Sequence, residues 1–466
     1  MRHTIKECFL YVLLLCFYAT PKAEPNFWIS GYYPAWARNT LPPVNIEFGA
    51  LTHLIHFSFL PKADGTLQDE FGMSASHCNA TVAAAHSTSK KVILCIGAAN
   101  TDTGFRGATR NGVRTTFISN ILNKLTTHGY DGIDIDWEPL LSSDSTQFKA
   151  FIRELRAALD SISPSLLLTA AAAEDYWDPA IRYMYNSIKD EIDQINLMTY
   201  VMSGPWDGWL TWHGSALFSG THGFPDDPSR PLPSAQHYIE LWNATGIPKS
   251  KLGIGIGFHG DVWTGGTFDL YQMWSSVPSL SNDIAYRTIM SSYYKAEYYR
   301  YDSVAEASYL SIDNTGSAND YFVSYTNERA IAARMGYLDT SGVGGAIIWE
   351  ISQDYLAPGD HPLMTAVKNG LTQTHTAVPV KVKNPPVLHV FPNQLRSTFT
   401  VSLSGEKLQN GHLRVFDCQG RTIYRSAFSG QECEIGGSSR SMPNGIYITR
   451  ANAKGLTLEK KTLLIH

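Results

Sequence analysis

Between Phe27 and Lys368 the chain alternates short apolar runs with longer stretches whose apolar residues recur every three to four positions. The short runs read as β-strands: Phe27–Tyr33, Leu51–Leu60, Lys91–Gly97, Gly132–Glu138, Leu166–Ala172, Asp193–Tyr200, Leu252–Phe258 and Gly345–Glu350. The longer stretches, such as Gly112–His128, Ser145–Ser161, Ser234–Thr245 and Asn327–Asp339, read as helices. Nearly continuous apolar strands separated by helices indicate a parallel sheet covered by helices. Eight such units predict an α/β chain folded as a (β/α)8 TIM barrel, with its chemistry at the C-terminal ends of the strands. Residues 262–324 break the rhythm. They are Tyr-rich, with strand-like pieces around a helical centre, and too long for a structureless loop. They predict a small α+β insertion between strands seven and eight.

The pattern changes again after residue 371. Residues 372–386 lack periodicity and read as a linker. From 387 to 466, short alternating runs (Thr398–Leu403, His412–Asp417, Thr422–Ser426, Gly445–Arg450, Lys460–Ile465) are separated by turn signals such as Pro443-Asn444-Gly445. This predicts a small antiparallel β-sandwich of immunoglobulin-like type. At the other end, Arg2, His3 and Lys6 precede an apolar run, Phe9–Ala19, too short to span a bilayer. Small residues follow near Ala19–Ala23. Residues 1–23 therefore read as a secretory signal, leaving 24–371 for the barrel.

The fourth strand stands apart. In Asp131-Gly132-Ile133-Asp134-Ile135-Asp136-Trp137-Glu138-Pro139, acids alternate with apolar residues. Period two puts Asp134, Asp136 and Glu138 on one face, about 7 Å apart from one to the next. Like charges so placed must raise some of their pKa values and share protons. Stability does not require this, but a general acid near neutral pH does. An exposed acidic edge strand fits poorly, because Ile133, Ile135 and Trp137 also demand burial. A divalent-cation site is the other arrangement this spacing allows, although such sites draw mostly on loop oxygens.

Composition narrows the class. The net charge of −5 offers nothing to a nucleic acid. Aromatic residues are 12% of the chain, which suits stacking on sugar rings as well as core packing. No cysteine pair has zinc-ligand spacing, and neither a metal nor a cofactor is expected. Cys418 and Cys433 are placed to pair in an oxidising compartment.

Asp131, Asp134, Asp136 and Glu138 fit the D-x-x-D-x-D-x-E signature, and here the chain resembles glycoside hydrolase family 18, the chitinases and their relatives. The likeness extends along the barrel. Gly31-Tyr32-Tyr33 is similar to the family's first strand and His56-Phe57-Ser58-Phe59 to its second. Met198-Thr199-Tyr200 with Gly204-Pro205-Trp206 resembles the sixth strand and its loop, and Gly345–Glu350 the eighth. The resemblance implies a retaining reaction in which the substrate's 2-acetamido group, not the enzyme, is the nucleophile. Glu138 would be the acid. Asp136 would hold the acetamido N–H and share a proton with Asp134, Tyr200 would bond the acetamido oxygen, and Trp349 would floor the sugar. Tyr32, Phe57, Trp137, Met198 and Trp206 are further candidates for the substrate cleft, with core packing as the other reading.

Departures from the family pattern carry expectations of their own. Cys95 stands where the third strand has serine, and would bond the middle acids more weakly. Val201 stands where an acid follows the tyrosine, which removes negative charge and would lower the pKa of Glu138. His259 and Asp261 replace a tyrosine and an arginine of the seventh strand. In the C-terminal region, Val390-Phe391-Pro392-Asn393, Leu413–Arg421, Met442–Tyr447 and Lys460–Leu463 resemble, in order, the C-terminal sorting domain of type IX secretion in the Bacteroidota. The implied protein is a monomeric secreted or surface-attached chitinase that acts on chitin or chito-oligosaccharides and meets the type IX machinery. An endo-β-N-acetylglucosaminidase acting on N-glycans and a catalytically weak chitin-binding lectin are the alternatives.

Overall fold

A computed structural model describes residues 27–173, 178–274, 276–314, 319–357 and 359–372, and in the C-terminal region 387–393, 398–404, 411–417, 421–428, 432–435, 445–453 and 456–464. The signal segment, most of the linker and Cys418 lie outside the described residues. The chain divides into two compact units with the boundary between Thr374 and His375.

In the first unit, β1 (Trp28–Pro34), β2 (His53–Pro61), β3 (Lys91–Ala98), β4 (Gly132–Trp137), β5 (Leu167–Ala172), β6 (Gln194–Leu197) and β7 (Leu252–Gly257) lie in sequence order. The eighth barrel strand is Gly345–Trp349, which pairs with both β7 and β1, and β1 pairs with β2. All these pairings are parallel, so the sheet closes into the expected barrel. Helices cover it through apolar residues at three- and four-residue spacing. Arg114–His128 buries Phe117, Ile118, Ile121 and Leu125, and ends at Gly129 with φ 75°, a left-handed turn that glycine adopts freely. Ser145–Ile162 buries Phe148, Ile152, Leu155 and Leu159 in the same way.

The insertion begins at His259, three residues earlier than expected. Strands β8 (His259–Thr264), β9 (Ser279–Ala285), β10 (Tyr299–Asp302), β11 (Ala307–Ile312) and β12 (Tyr321–Tyr325) form one antiparallel sheet in the order β9-β8-β12-β11-β10, with a helix at Tyr286–Ser292. The second unit holds two antiparallel sheets. One contains Val387–Asn393, Thr398–Ser404 and Glu432–Ile435; the other contains Gly411–Asp417, Thr422–Phe428, Gly445–Ala453 and Leu456–Leu464. The first and third of these strands, absent from the sequence reading, lie at the two edges of their sheet.

Candidate active site

Strand alternation sorts β4 as its sequence implies. Ile133, Ile135 and Trp137 face outward into the layer between barrel and helices. Asp134, Asp136 and Glu138 face inward, and the first two are buried. This corrects one expectation. Trp137 does not reach a cleft: it is 3% exposed and stacks on Phe105 at 4.7 Å and 7°. The rule that turns Glu138 inward turns its neighbour out.

Register across three strands builds the support for the acids. Asp134 lies opposite Cys95 on β3 and Thr169 on β5. Its Oδ1 accepts the Thr169 hydroxyl at 2.5 Å and its Oδ2 accepts the Tyr32 hydroxyl at 2.8 Å. The Cys95 thiol donates to it as well. Burial, and then the charges of Asp134 and Asp136, push the Cys95 thiol well above its ordinary range, so it stays an S–H donor. Burial raises the Asp134 carboxyl, while the three donors favour its ionised form and pull the other way.

Asp136 is raised well above the carboxylate range, by burial first and then by the charges of Glu138 and Asp134. Glu138 is raised too, by burial, against the opposing effect of its hydrogen bond with Asp136. Valine at 201 therefore leaves Glu138 still above its ordinary value. Two carboxyls in hydrogen-bond contact cannot both ionise cheaply, so the pair holds a common proton. In this structure Asp136 pairs with Glu138, whereas Asp134 is committed to Tyr32, Thr169 and Cys95. Among the described residues the buried Oδ1 of Asp136 has no hydrogen-bond partner.

Aromatic residues close the site. Tyr200 follows β6 and packs against Gly255, where any Cβ would strike its ring. Burial, and then the charges of Glu138 and Asp136, hold its phenol well above the usual range and keep it protonated. Trp349 ends the eighth strand and is half-buried in one cluster with Tyr200 and Met198. Two further candidates move back a layer. Tyr32, 1% exposed, holds Asp134 rather than lining the cleft. Phe57, 3% exposed, stands edge-on behind Trp349 at 5.0 Å. Trp206 sits in a separate aromatic cluster, 4.5 Å from Trp209. Thr169 was missed by the sequence reading, although a lone polar residue in the apolar run Leu166–Ala172 was a usable signal. Among the described residues no group of three or more His, Cys, Asp or Glu is arranged to hold a metal ion.

The model of glycosyl hydrolases family 18 matches residues 29–354, which run through the barrel and its insertion. The chain belongs to this family. It is a chitinase-like member. A probable endochitinase of Caenorhabditis elegans is 29% identical over 284 residues, which is 57% of this chain but 44% of that protein, so the match spans less than half of that relative's length. A class V chitinase of Arabidopsis thaliana is 25% identical over 373 residues, 74% of this chain and 89% of the relative. Human YKL-39, a pseudo-chitinase with retained chitooligosaccharide binding, shares the fold with a TM-score of 0.61 at 22% identity, over 74% of this chain and 99% of that one. Residues 389–465 match the secretion system C-terminal sorting domain.

Proposed function

We propose that this family 18 protein is a secreted chitinase that hydrolyses β-1,4 bonds between N-acetylglucosamine units with retention of configuration. The observation that carries the reading is the pairing of buried Asp136 with the partly buried Glu138. It holds a proton that Glu138 needs as general acid, and among the described residues one Asp136 oxygen has no hydrogen-bond partner. A sugar's acetamido N–H is a donor of the kind that oxygen requires. Glu138 donates its proton to the glycosidic oxygen as the bond to the anomeric carbon breaks. The acetamido oxygen of the same sugar attacks that carbon from the opposite face, giving an oxazolinium ion. Asp136 takes the acetamido N–H and stabilises the developing positive charge. Tyr200, kept protonated by its surroundings, donates to the acetamido oxygen, and Trp349 supplies the apolar floor. Glu138, now ionised, removes a proton from water, which opens the ring on the original face. The sorting-domain match supports export to the surface or medium by the type IX route.

The test is hydrolysis of chito-oligosaccharides by the purified chain and by E138Q, with product anomers followed by chromatography. Cleavage with retained β-configuration, lost in E138Q while binding persists, is expected. Binding without cleavage by both proteins would replace the enzyme with a lectin. The absence of both would redirect attention to N-glycans.

A further inference from the structure

An open cleft of about 330 Å³ lies beside Trp349, and Trp36, Asp283, Arg287, Glu350 and Gln353 help to line it. Its other side comes from the insertion, and Asp283 is placed there by an unusual backbone. The β9–β8 register slips between Ser281 and Ile284, so Asn282 and Asp283 bulge from the ladder. Asp283 has φ 57°, in the left-handed region. A bulge of this kind re-aims a side chain, and strain at a non-glycine residue persists where surrounding structure enforces it.

The side chain is held on one side and open on the other. Gln353 Nε2 donates to Asp283 Oδ1 at 2.8 Å, and His259 Nδ1 packs 3.2 Å from the same oxygen without hydrogen-bond geometry. Yet half of the Asp283 side chain is exposed, against 3% for His259. The other charged groups of this wall are already engaged. Glu350 accepts from the Ser352 N–H and hydroxyl, both at 2.8 Å, and Arg287 donates to the Ser352 carbonyl at 2.6 Å. Behind Asp283, the His259 ring stands edge-on to Tyr200 at 5.5 Å, in space that glycine at 257 leaves open. A contact path thus runs from Tyr200 through His259 to Asp283 and the cleft. Valine at 201 means that no carboxylate comes from the residue beside Tyr200.

We propose that Asp283 is a substrate-binding residue that accepts hydrogen bonds from hydroxyls of the sugar stacked on Trp349, with His259 as the positioning residue that ties it to Tyr200. A pyranose lays an apolar face on an aromatic ring and projects its hydroxyl donors outward in the plane of the sugar. A carboxylate beside that ring meets them with strong, charge-assisted bonds. The inference rests on the chitinase reading above.

The test is calorimetric titration of chitotetraose into the E138Q chain with and without D283N or D283G. Asn and Gly both tolerate the left-handed backbone, so both variants fold, which an unchanged melting curve verifies. D283N retains an acceptor for Gln353 but turns half of the carboxylate into a donor. The expected result is about tenfold weaker binding for D283N and at least as much for D283G. In the background with Glu138 intact, H259F should lower kcat more than it raises KM, and D283N should add less on top of it than alone. Binding by D283N and D283G equal to that of E138Q would overturn the assignment of Asp283 while leaving the chitinase intact. A parent chain that neither binds nor cleaves chitotetraose would overturn the functional reading, and this inference with it.

Discussion

Replacing Tyr32 by Phe removes one oxygen from a ring that otherwise stays in place. The ring packs edge-on against Trp349 at 5.5 Å and Phe57 at 6.1 Å, and the phenyl group keeps both contacts. What is lost is the 2.8 Å hydrogen bond to Asp134. A bond to an ionised group contributes about 1.5–3 kcal/mol. Thr169 and Cys95 still donate to Asp134, so the lower end, about 1.5 kcal/mol, is expected. The Tyr32 bond favours charged Asp134 against burial, so its loss raises that carboxyl further. A neutral Asp134 no longer repels charge on Asp136, and the Asp136–Glu138 pair then holds its proton less tightly. The assay is kcat and KM on a chito-oligosaccharide from about pH 4 to 9, a range that spans both limbs. We expect kcat to fall about tenfold, KM to stay within about twofold, and the alkaline limb to move to lower pH. A raised KM with unchanged kcat would refute the reasoning and return Tyr32 to the substrate cleft.

Two other perturbations follow from buried charge and backbone strain. Asp261 is fully buried against Gly214, and burial, with a smaller effect from Asp283, lifts its carboxyl from 3.8 to about 7. Its folded form thus keeps a proton that the unfolded chain releases. The stability this brings is complete below about pH 4 and lost as pH rises through about 7, by up to about 4 kcal/mol. D261N should flatten that slope and melt higher than the parent at pH 8; equal melting temperatures at pH 5 and pH 8 in the parent would contradict it. Val201 has φ 55°, a conformation that a β-branched side chain resists by about 1–2 kcal/mol and that Asp adopts more readily. V201D should therefore be no less stable, and its added charge should shift the pH–rate profile upward; superimposable profiles would sink the electrostatic argument.

The eight barrel strands were legible because parallel strands buried on both faces stand out as apolar runs, and β4 was legible because acids interrupt one such run at period two. Periodicity reports the face of a strand but not the depth along it. Tyr32 and Tyr200 are both inward aromatics near strand ends, yet one lies behind Asp134 and the other beside Glu138. Depth is fixed by register between strands far apart in sequence, as where Cys95, Asp134 and Thr169 fall side by side. Trp137 shows the converse case: the alternation that identified the acids already excluded it from their face, and its placement in the cleft followed from residue type alone. Asp283 left no local trace. Its partners His259 and Gln353 lie 24 and 70 residues away in the chain, and a positive φ at an aspartate cannot be read from its neighbours. The candidate acids sit on the regular barrel and inherit its periodicity. Asp283, proposed above to bind the substrate, sits on the insertion, where a bulge and a positive φ replace periodicity, so its position is readable only in three dimensions.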